Sequence, residues 1–456
     1  MRTLAFFVLA LPSPAFASGY YFSDSGVQAS SRAGAWVASA DDRFAQRYNP
    51  AGLLGVKRPT FDLGVSGVQQ HVTFERSSDD GTVYEPATNN ARPFVVPELG
   101  FATPVGDDFA FAFGLYTPYA PTQKYSETGA QRYSLISTDI LQGFWGPSMA
   151  WRPVPHLSVG LGVQVGFLTV SESVKATTAL TAGGLDDPGN DVRVDLKAAD
   201  LFSPSFNVGL RYEATDNIAF GLAVQPPSHY ECKGSTTLDF RGNNLASFLT
   251  PPEGSTEPVW TDDAITLSIT LPLEMRVGVA VTPHENTEFE LAAHWVQWSA
   301  LNQIDIDNID ITIDTGFLGE RPVPSPISLP TRFRDALTLS IGGESRVGDH
   351  TIVRAGAFWE QGALAPESLS VATVDPDKYQ ISGGGTAELG DHLSLDLGLS
   401  AILIPALNVT TSEVLQINAL DAEGDALTVG NGRYRSSGWT MGLAARWAFG
   451  APLSES

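Results

Sequence analysis

Leu157-Ser158-Val159-Gly160-Leu161-Gly162-Val163-Gln164-Val165-Gly166-Phe167 is the stretch that decides the fold. Every second residue is apolar, and the residues between are Ser, Gly or Gln. Side chains of a strand point alternately to its two faces, so this is a strand with one apolar face. The eighteen residues Val154 to Ser171 carry no Asp, Glu, Lys or Arg, which invites a membrane helix. Such a helix needs about twenty mostly apolar residues, and here Pro155, His156 and the glycines interrupt the run.

The same period recurs outward from it in both directions. Phe109, Phe111, Phe113 and Leu115 alternate with Ala110, Ala112 and Gly114, and Phe206, Val208, Leu210 and Tyr212 with Asn207, Gly209 and Arg211. Ile218 to Val224 continues the pattern. Phe289, Leu291, Ala293 and Trp295 stand against Glu288, Glu290 and His294, and Leu393 to Leu399 against Ser394 and Asp396. The last such strand sets Trp439, Met441, Leu443, Ala445, Trp447 and Phe449 on one face, with aromatic residues at both ends as interfacial girdles require.

The connections select the architecture. Six joints are short: Val105–Asp108, Pro153–His156, Ala214–Asn217, Pro283–Asn286, Val347–His350 and Gly390-Asp391. Seven long polar stretches lie between, near 75–94, 118–132, 171–201, 228–261, 304–335, 361–377 and 405–434. Thirteen connections make fourteen strands, with short turns on one side and long loops on the other, as in bacterial outer-membrane barrels. A soluble sandwich needs no such asymmetry, and an open sheet edge is not viable in lipid, so the sheet must close. The expected fold is all-β: a fourteen-stranded antiparallel transmembrane β-barrel over 59–449.

Composition agrees. The chain has 456 residues, 17% charged and 43% hydrophobic, and a net charge of -24 that would repel a phosphate backbone and excludes a nucleic-acid partner. Cys232 is the lone cysteine, placed in an extracellular loop, so there is no disulfide framework. Residues 1–17 read as a signal peptide: Met1-Arg2, apolar Leu4–Leu11, then Pro12, Pro14 and Ala15-Phe16-Ala17. Residues 18–58 are not obviously strand; small residues precede Asp41-Asp42 and the turn Asn49-Pro50-Ala51-Gly52. Fourteen strands enclose a lumen that side chains alone would not fill, and this segment would plug it. Residues 450–456 are a short tail.

Ser31-Arg32-Ala33-Gly34-Ala35, Ala40-Asp41-Asp42 and Tyr48-Asn49-Pro50-Ala51-Gly52-Leu53 resemble the N-terminal hatch of the FadL/TodX family of outer-membrane transporters. Thr117-Pro118-Tyr119, Gln131-Arg132-Tyr133, Pro147-Ser148-Met149-Ala150, Leu271-Pro272 with Arg276 to Ala280, Trp295, Trp298-Ser299, Arg354-Ala355-Gly356 and Asp375-Pro376-Asp377 follow in the family's order. The chain departs from the family in Tyr119, where Phe is usual, and in the residues after Phe449.

The resemblance implies passive import of long-chain fatty acids or similar hydrophobic molecules across the outer membrane of a Gram-negative bacterium, without a cofactor. The cargo would land among loops within lipopolysaccharide, enter a pocket above the hatch, and leave sideways into outer-membrane lipid. The exit would be a gap at an inward kink of the third strand, which avoids exposing the cargo to water at ~0.8 kcal/mol per CH₂. Aromatic-hydrocarbon uptake and a structural or adhesin barrel are the alternatives; a diffusion porin would need an open lumen.

Ligand and gating candidates are Tyr20, Tyr21 and Phe22 near the expected mature N-terminus, the Asn49-Pro50-Ala51 turn, Gly114 and Pro118 on the third strand, and Arg132. For each a packing role stands beside the functional one. Pro118 cannot donate a ladder hydrogen bond. Arg32, Arg132, Arg211, Arg276 and Arg354 could each hold a carboxylate or belong to balanced lumenal ion pairs. Asp305, Asp307, Asp310 and Asp314 could hold Ca²⁺, but lack a calcium-loop pattern and read as an acidic solvated loop. No Gly-x-Ser-x-Gly, His-Glu-x-x-His or phosphate-binding loop occurs, so no enzyme is expected.

Overall fold

The computed structural model describes residues 25–450 apart from 79, 180, 317–318, 324 and 420–425. The expected signal peptide, Tyr20, Tyr21, Phe22 and residues 451–456 lie outside the described residues. The chain forms a closed antiparallel barrel of fourteen strands. These are β1 Thr60–Arg76, β2 Phe94–Val105, β3 Phe109–Tyr119, β4 Ser137–Val154, β5 Leu157–Thr177 and β6 Asp191–Thr215. They continue with β7 (Ile218–Gln225, then Ser228–Asp239 past Pro226-Pro227) and β8 (Val259–Leu271, then Glu274–His284 past Pro272). The last are β9 Thr287–Val296, β10 Ala336–Arg346, β11 Thr351–Glu360, β12 Lys378–Leu389, β13 Leu393–Val409 and β14 Gly432–Ala448. Closure is direct: β1 pairs with β14 in unbroken register from Thr60↔Ala448 to Arg76↔Gly432.

All six short joints are where the sequence puts them, with left-handed Gly106, Gly348 and Gly390 in three of them. Outward faces are apolar: Phe109, Phe111 and Phe113 are 39%, 41% and 49% exposed, whereas Ala110 and Ala112 are buried. The band continues around the wall through Val163, Val208, Leu291, Ile341, Ile381, Leu397 and Leu443. A continuous exposed apolar band of this extent has only lipid as a matching solvent. Phe109 with Trp151, and Phe61 with Trp447, form ring pairs with centroids 6.3 and 6.2 Å apart at the turn end of the barrel.

Several expected loops are instead wall. β5 runs to Thr177 and β6 starts at Asp191, so much of 171–201 is strand; the same holds for 228–261, where β7 reaches Asp239 and β8 begins at Val259. The inward residues Leu168, Val170, Val174 and Ala176 keep the alternation, but the outward ones (Ser171, Ser173, Lys175) turn polar. A strand that has left the lipid no longer needs an apolar outer face, which removes the signal that marks it in sequence. Cys232 accordingly sits buried on β7 rather than in a loop. The Ile/Asp ribbon is similar: Gln303–Asp307 pairs with β8, with Ile304 and Ile306 buried and Asp305 and Asp307 on the other face. Among the described residues no group of three or more His, Cys, Asp or Glu is arranged to hold a metal.

Residues 25–57 are folded against the inside of the wall. Helices α1 (Val27–Ser31) and α2 (Ala45–Tyr48) and a 3₁₀ turn (Pro50–Gly55) contain the few helical residues of this segment. α1 packs on β11 to β14, and the 3₁₀ turn packs on β2 to β6 across the lumen. Trp36, Phe44, Tyr48 and Leu53 form an apolar cluster with the small wall residues Ala102, Ala110, Ala112 and Ala150.

Candidate functional site

The N-terminal segment is held to the wall by polar contacts between residues far apart in sequence. Glu290 on β9 accepts from the backbone N–H groups of Val37 (2.7 Å), Ala38 (3.2 Å) and Ser39 (2.9 Å), and from the Ser39 hydroxyl. Asn49 caps the 3₁₀ turn by accepting from Ala51 N–H at 3.1 Å, and its amide donates to the carbonyls of Val37 (2.8 Å) and Leu210 on β6 (2.9 Å). Arg47 reaches Gln225 at 3.0 Å and Glu274 at 2.9 Å, and the same Glu274 carboxylate faces Arg276 (2.7 Å) and His294 (3.2 Å). Arg32 pairs with Glu288 at 2.9 Å and lies over the Trp36 ring.

These contacts require a thin wall. A Cβ at Gly356 would lie 2.3 Å from the Arg32 backbone carbon, one at Gly160 2.2 Å from Ala51 N, and one at Gly221 2.5 Å from Val37 O. Gly278 clears the space that the Glu290 carboxylate occupies. The glycines opposite the apolar stripes thus let the segment approach the strands at backbone contact.

The wall is interrupted beside β3. Its pairing with β2 runs from Val105↔Phe109 to Leu99↔Leu115 and stops. On the other side the register with β4 jumps from Tyr116↔Phe144 to Tyr119↔Gln142, two residues facing one, which is a bulge containing Thr117 and Pro118. Tyr116, Thr117, Pro118 and Tyr119 are all buried, so the strand end has turned inward. Phe94 to Glu98 of β2 meanwhile stay paired with β1. The separation leaves a narrow crevice lined by Val68, Gln69, Gln70, Arg92, Phe94, Ala120, Pro121 and Thr122.

Above the N-terminal segment lies a second, larger apolar cluster. Tyr119 meets Trp298 edge-on with centroids 6.1 Å apart, Trp298 lies 5.7 Å from Phe333, and Phe240 lies 5.4 Å from Trp260. Leu168, Val170, Ile265, Leu267 and Ile306 belong to the same buried cluster. Its chemistry suits an apolar guest.

Of the residues singled out in sequence, Asn49, Pro50 and Ala51 come together with Gly209 and Gly160 as a wall-docked turn. Gly114 faces Gln46, whose Oε1 would lie 3.0 Å from an added Cβ, and Pro118 lies in the bulge. Arg132 stands apart, between β3 and β4: it donates to Asp191 at 2.8 Å, to the Asp186 carbonyl at 2.9 Å and to Tyr133 at 2.6 Å. Burial lowers its proton affinity, but the Tyr133 and Asp191 oxygens raise it more and hold the charge firmly. Arg211, Arg276 and Arg354 are likewise engaged, with Glu213, Glu274 and Glu344. Glu290 and Glu274 were not singled out; the available signal was acidic residues on the face opposite an apolar stripe, as in Glu288 and Glu290.

The family described as "Outer membrane protein transport protein (OMPP1/FadL/TodX)" matches residues 8–449. The long-chain fatty acid transport protein of Escherichia coli (strain K12) is 23% identical over 421 residues, covering 87% of this chain and 90% of that protein. Outer membrane protein P1 of Haemophilus influenzae is 24% identical over 406 residues, covering 79% and 80%. A Pseudomonas aeruginosa FadL homologue of known structure superposes with a TM-score of 0.76 at 18% identity, covering 98% of this chain and 100% of that one. The toluene transporter TodX of P. putida gives a TM-score of 0.68 at 16% identity, covering 93% and 99%. These structures share the barrel fold.

Proposed function

The chain belongs to the OMPP1/FadL/TodX family of outer-membrane transport proteins, and from that premise we propose that it imports long-chain fatty acids or similar hydrophobic molecules and releases them sideways through the barrel wall. It acts as a transporter rather than an enzyme. The cargo lands from the lipopolysaccharide layer, settles in the apolar lining around Trp298 and Tyr119, and waits above residues 18–58, which serve as the hatch. Movement of that segment opens a path to the crevice beside β3, and the cargo passes into outer-membrane lipid.

The observation that carries this reading is the joint loss of β2–β3 pairing above Leu99↔Leu115 and the bulge at Thr117-Pro118. A closed barrel in lipid must satisfy its backbone by pairing, so a broken ladder is tolerated only where protein shields it or a path runs through. The aromatic edges of Trp298, Tyr119 and Phe333 favour a second class of cargo, monoaromatic hydrocarbons. Uptake of labelled oleate and of labelled toluene is measured in cells lacking or expressing the barrel. Barrel-dependent, saturable uptake of either supports transport and identifies the class; identical uptake of both with and without the barrel overturns it in favour of a structural or adhesin barrel.

A further inference from the structure

Glu172 on β5 is 5% exposed, and neither carboxylate oxygen has a hydrogen-bond partner. Its cross-strand neighbour on β4 is Thr138, 2% exposed, whose hydroxyl is also without a partner. On the other side it pairs with Leu196 of β6. Along β5 the inward neighbours are Val170 and Val174, both part of the large apolar cluster. An acid and a hydroxyl, side by side and unsatisfied, therefore face the apolar lining in which the cargo is placed.

Burying a polar group without a partner is costly, and a carboxyl more so than an amide or hydroxyl. Native structures keep few such groups, and each calls for an explanation. The other open groups on this inner face of β4 are the Gln142 carbonyl oxygen, again an acceptor, and, further toward the turn end, the Ser148 hydroxyl. The level of the wall that holds Glu172 continues through Thr236 to Asp262 and includes no Lys or Arg. Of the cations at the loop end of the barrel, Arg132 is engaged by Asp191 and Asp186, and Arg76 pairs with Asp186. A carboxylate head group would find no cation at this level of the wall and would be buried uncompensated, whereas a hydroxyl would find acceptors.

We propose that Glu172, with Thr138, is the polar anchor of the lumenal binding site and selects hydrophobic cargo with a hydrogen-bond-donating, non-anionic head group, an alcohol or phenol, over a carboxylate. The anchor rests on the transport reading and narrows its substrate class. The carboxyl accepts the head-group hydrogen, the Thr138 hydroxyl supplies a second contact, and the aliphatic tail lies along Val170, Val174 and the aromatic lining. Glu172 is thus a specificity-determining residue.

The test uses the full-length barrel purified in detergent and radiolabelled dodecanol, dodecanoate and dodecane in equilibrium binding at pH 7.5. The wild type is expected to bind dodecanol about tenfold more tightly than dodecanoate, the discrimination expected of one good buried hydrogen bond. Glu172→Leu is expected to lose about tenfold in dodecanol affinity and to keep dodecane affinity within about twofold, while Glu172→Gln, whose amide oxygen still accepts, retains most of it. Thr138→Val gives an independent, smaller loss should Glu172→Leu fail to fold. Dodecane binding with no preference for the alcohol, or dodecanol affinity unchanged in both Glu172→Leu and Thr138→Val, overturns the anchor while leaving transport intact. Failure of the wild type to bind any of the three probes overturns the transport reading and the anchor with it.

Discussion

Replacing Glu290 by Ala should release the N-terminal segment without opening the barrel. In the folded protein this carboxylate accepts from three consecutive backbone N–H groups, those of Val37, Ala38 and Ser39, and from the Ser39 hydroxyl. Hydrogen bonds to a charged acceptor contribute about 1.5–3 kcal/mol each, and orphaning a buried donor costs about 1–3 kcal/mol. The four contacts form one cluster and do not add, so about 4 kcal/mol for the whole is a conservative figure. At about 1.4 kcal/mol per tenfold, the local opening equilibrium rises roughly a thousandfold. Hydrogen exchange read by mass spectrometry on a peptide spanning 35–41 measures this directly, since protected amides exchange through such openings. The expected result is a loss of protection of about that size at Val37, Ala38 and Ser39, with β9 amides unchanged. Glu290→Gln, which keeps an acceptor but not the charge, should fall between. A change below about tenfold, or an equal loss across the barrel strands, would refute the role given to this carboxylate.

Three other outcomes follow from the same geometry. Gly356→Ala places a Cβ 2.3 Å from the Arg32 backbone and should destabilise docking by about 1–3 kcal/mol, whereas Gly383→Ala, whose nearest neighbour is Arg354 O at 3.7 Å, should be silent; thermal unfolding followed by gel mobility separates them. Arg132→Ala leaves Asp191 buried without its guanidinium and should speed proteolysis of the loop between β3 and β4, with oleate affinity within about twofold because its donors are already engaged. Asn49→Ala removes the cap on Ala51 and the ties to Val37 and Leu210, and should cost about 1–2 kcal/mol, read as lower protection over 49–55.

Much of the barrel is legible in the sequence because lipid imposes a strict rule on one face of each strand. Phe109, Phe111 and Phe113 could only point outward, and the short turns at 106–108 and 390–392 fix the strand order. That rule ends where the strands rise above the lipid: Ser171, Ser173 and Lys175 follow Leu161 and Val163 on the same outer face, and polarity there mimics a loop. Glu172 is hidden for that reason, inside a stretch that reads as a long polar loop. Gly114 and Pro118 announce a thin, broken strand, but the contacts that hold the N-terminal segment do not show in sequence. Glu290 and Ser39 are 251 residues apart, and only closure of the barrel brings them together.

The most direct test of the account removes the bulge beside the crevice. Deleting Pro118 removes the extra residue of the bulge, restores one-to-one register with β4 between Tyr116 and Tyr119, and returns a backbone donor to the strand. Uptake of labelled oleate or oleyl alcohol, whichever the wild type imports faster, is measured beside binding to the purified barrel. Lateral release predicts binding within about twofold of wild type and uptake lowered about tenfold or more. Wild-type uptake through a barrel whose β3–β4 bulge has been removed would contradict it.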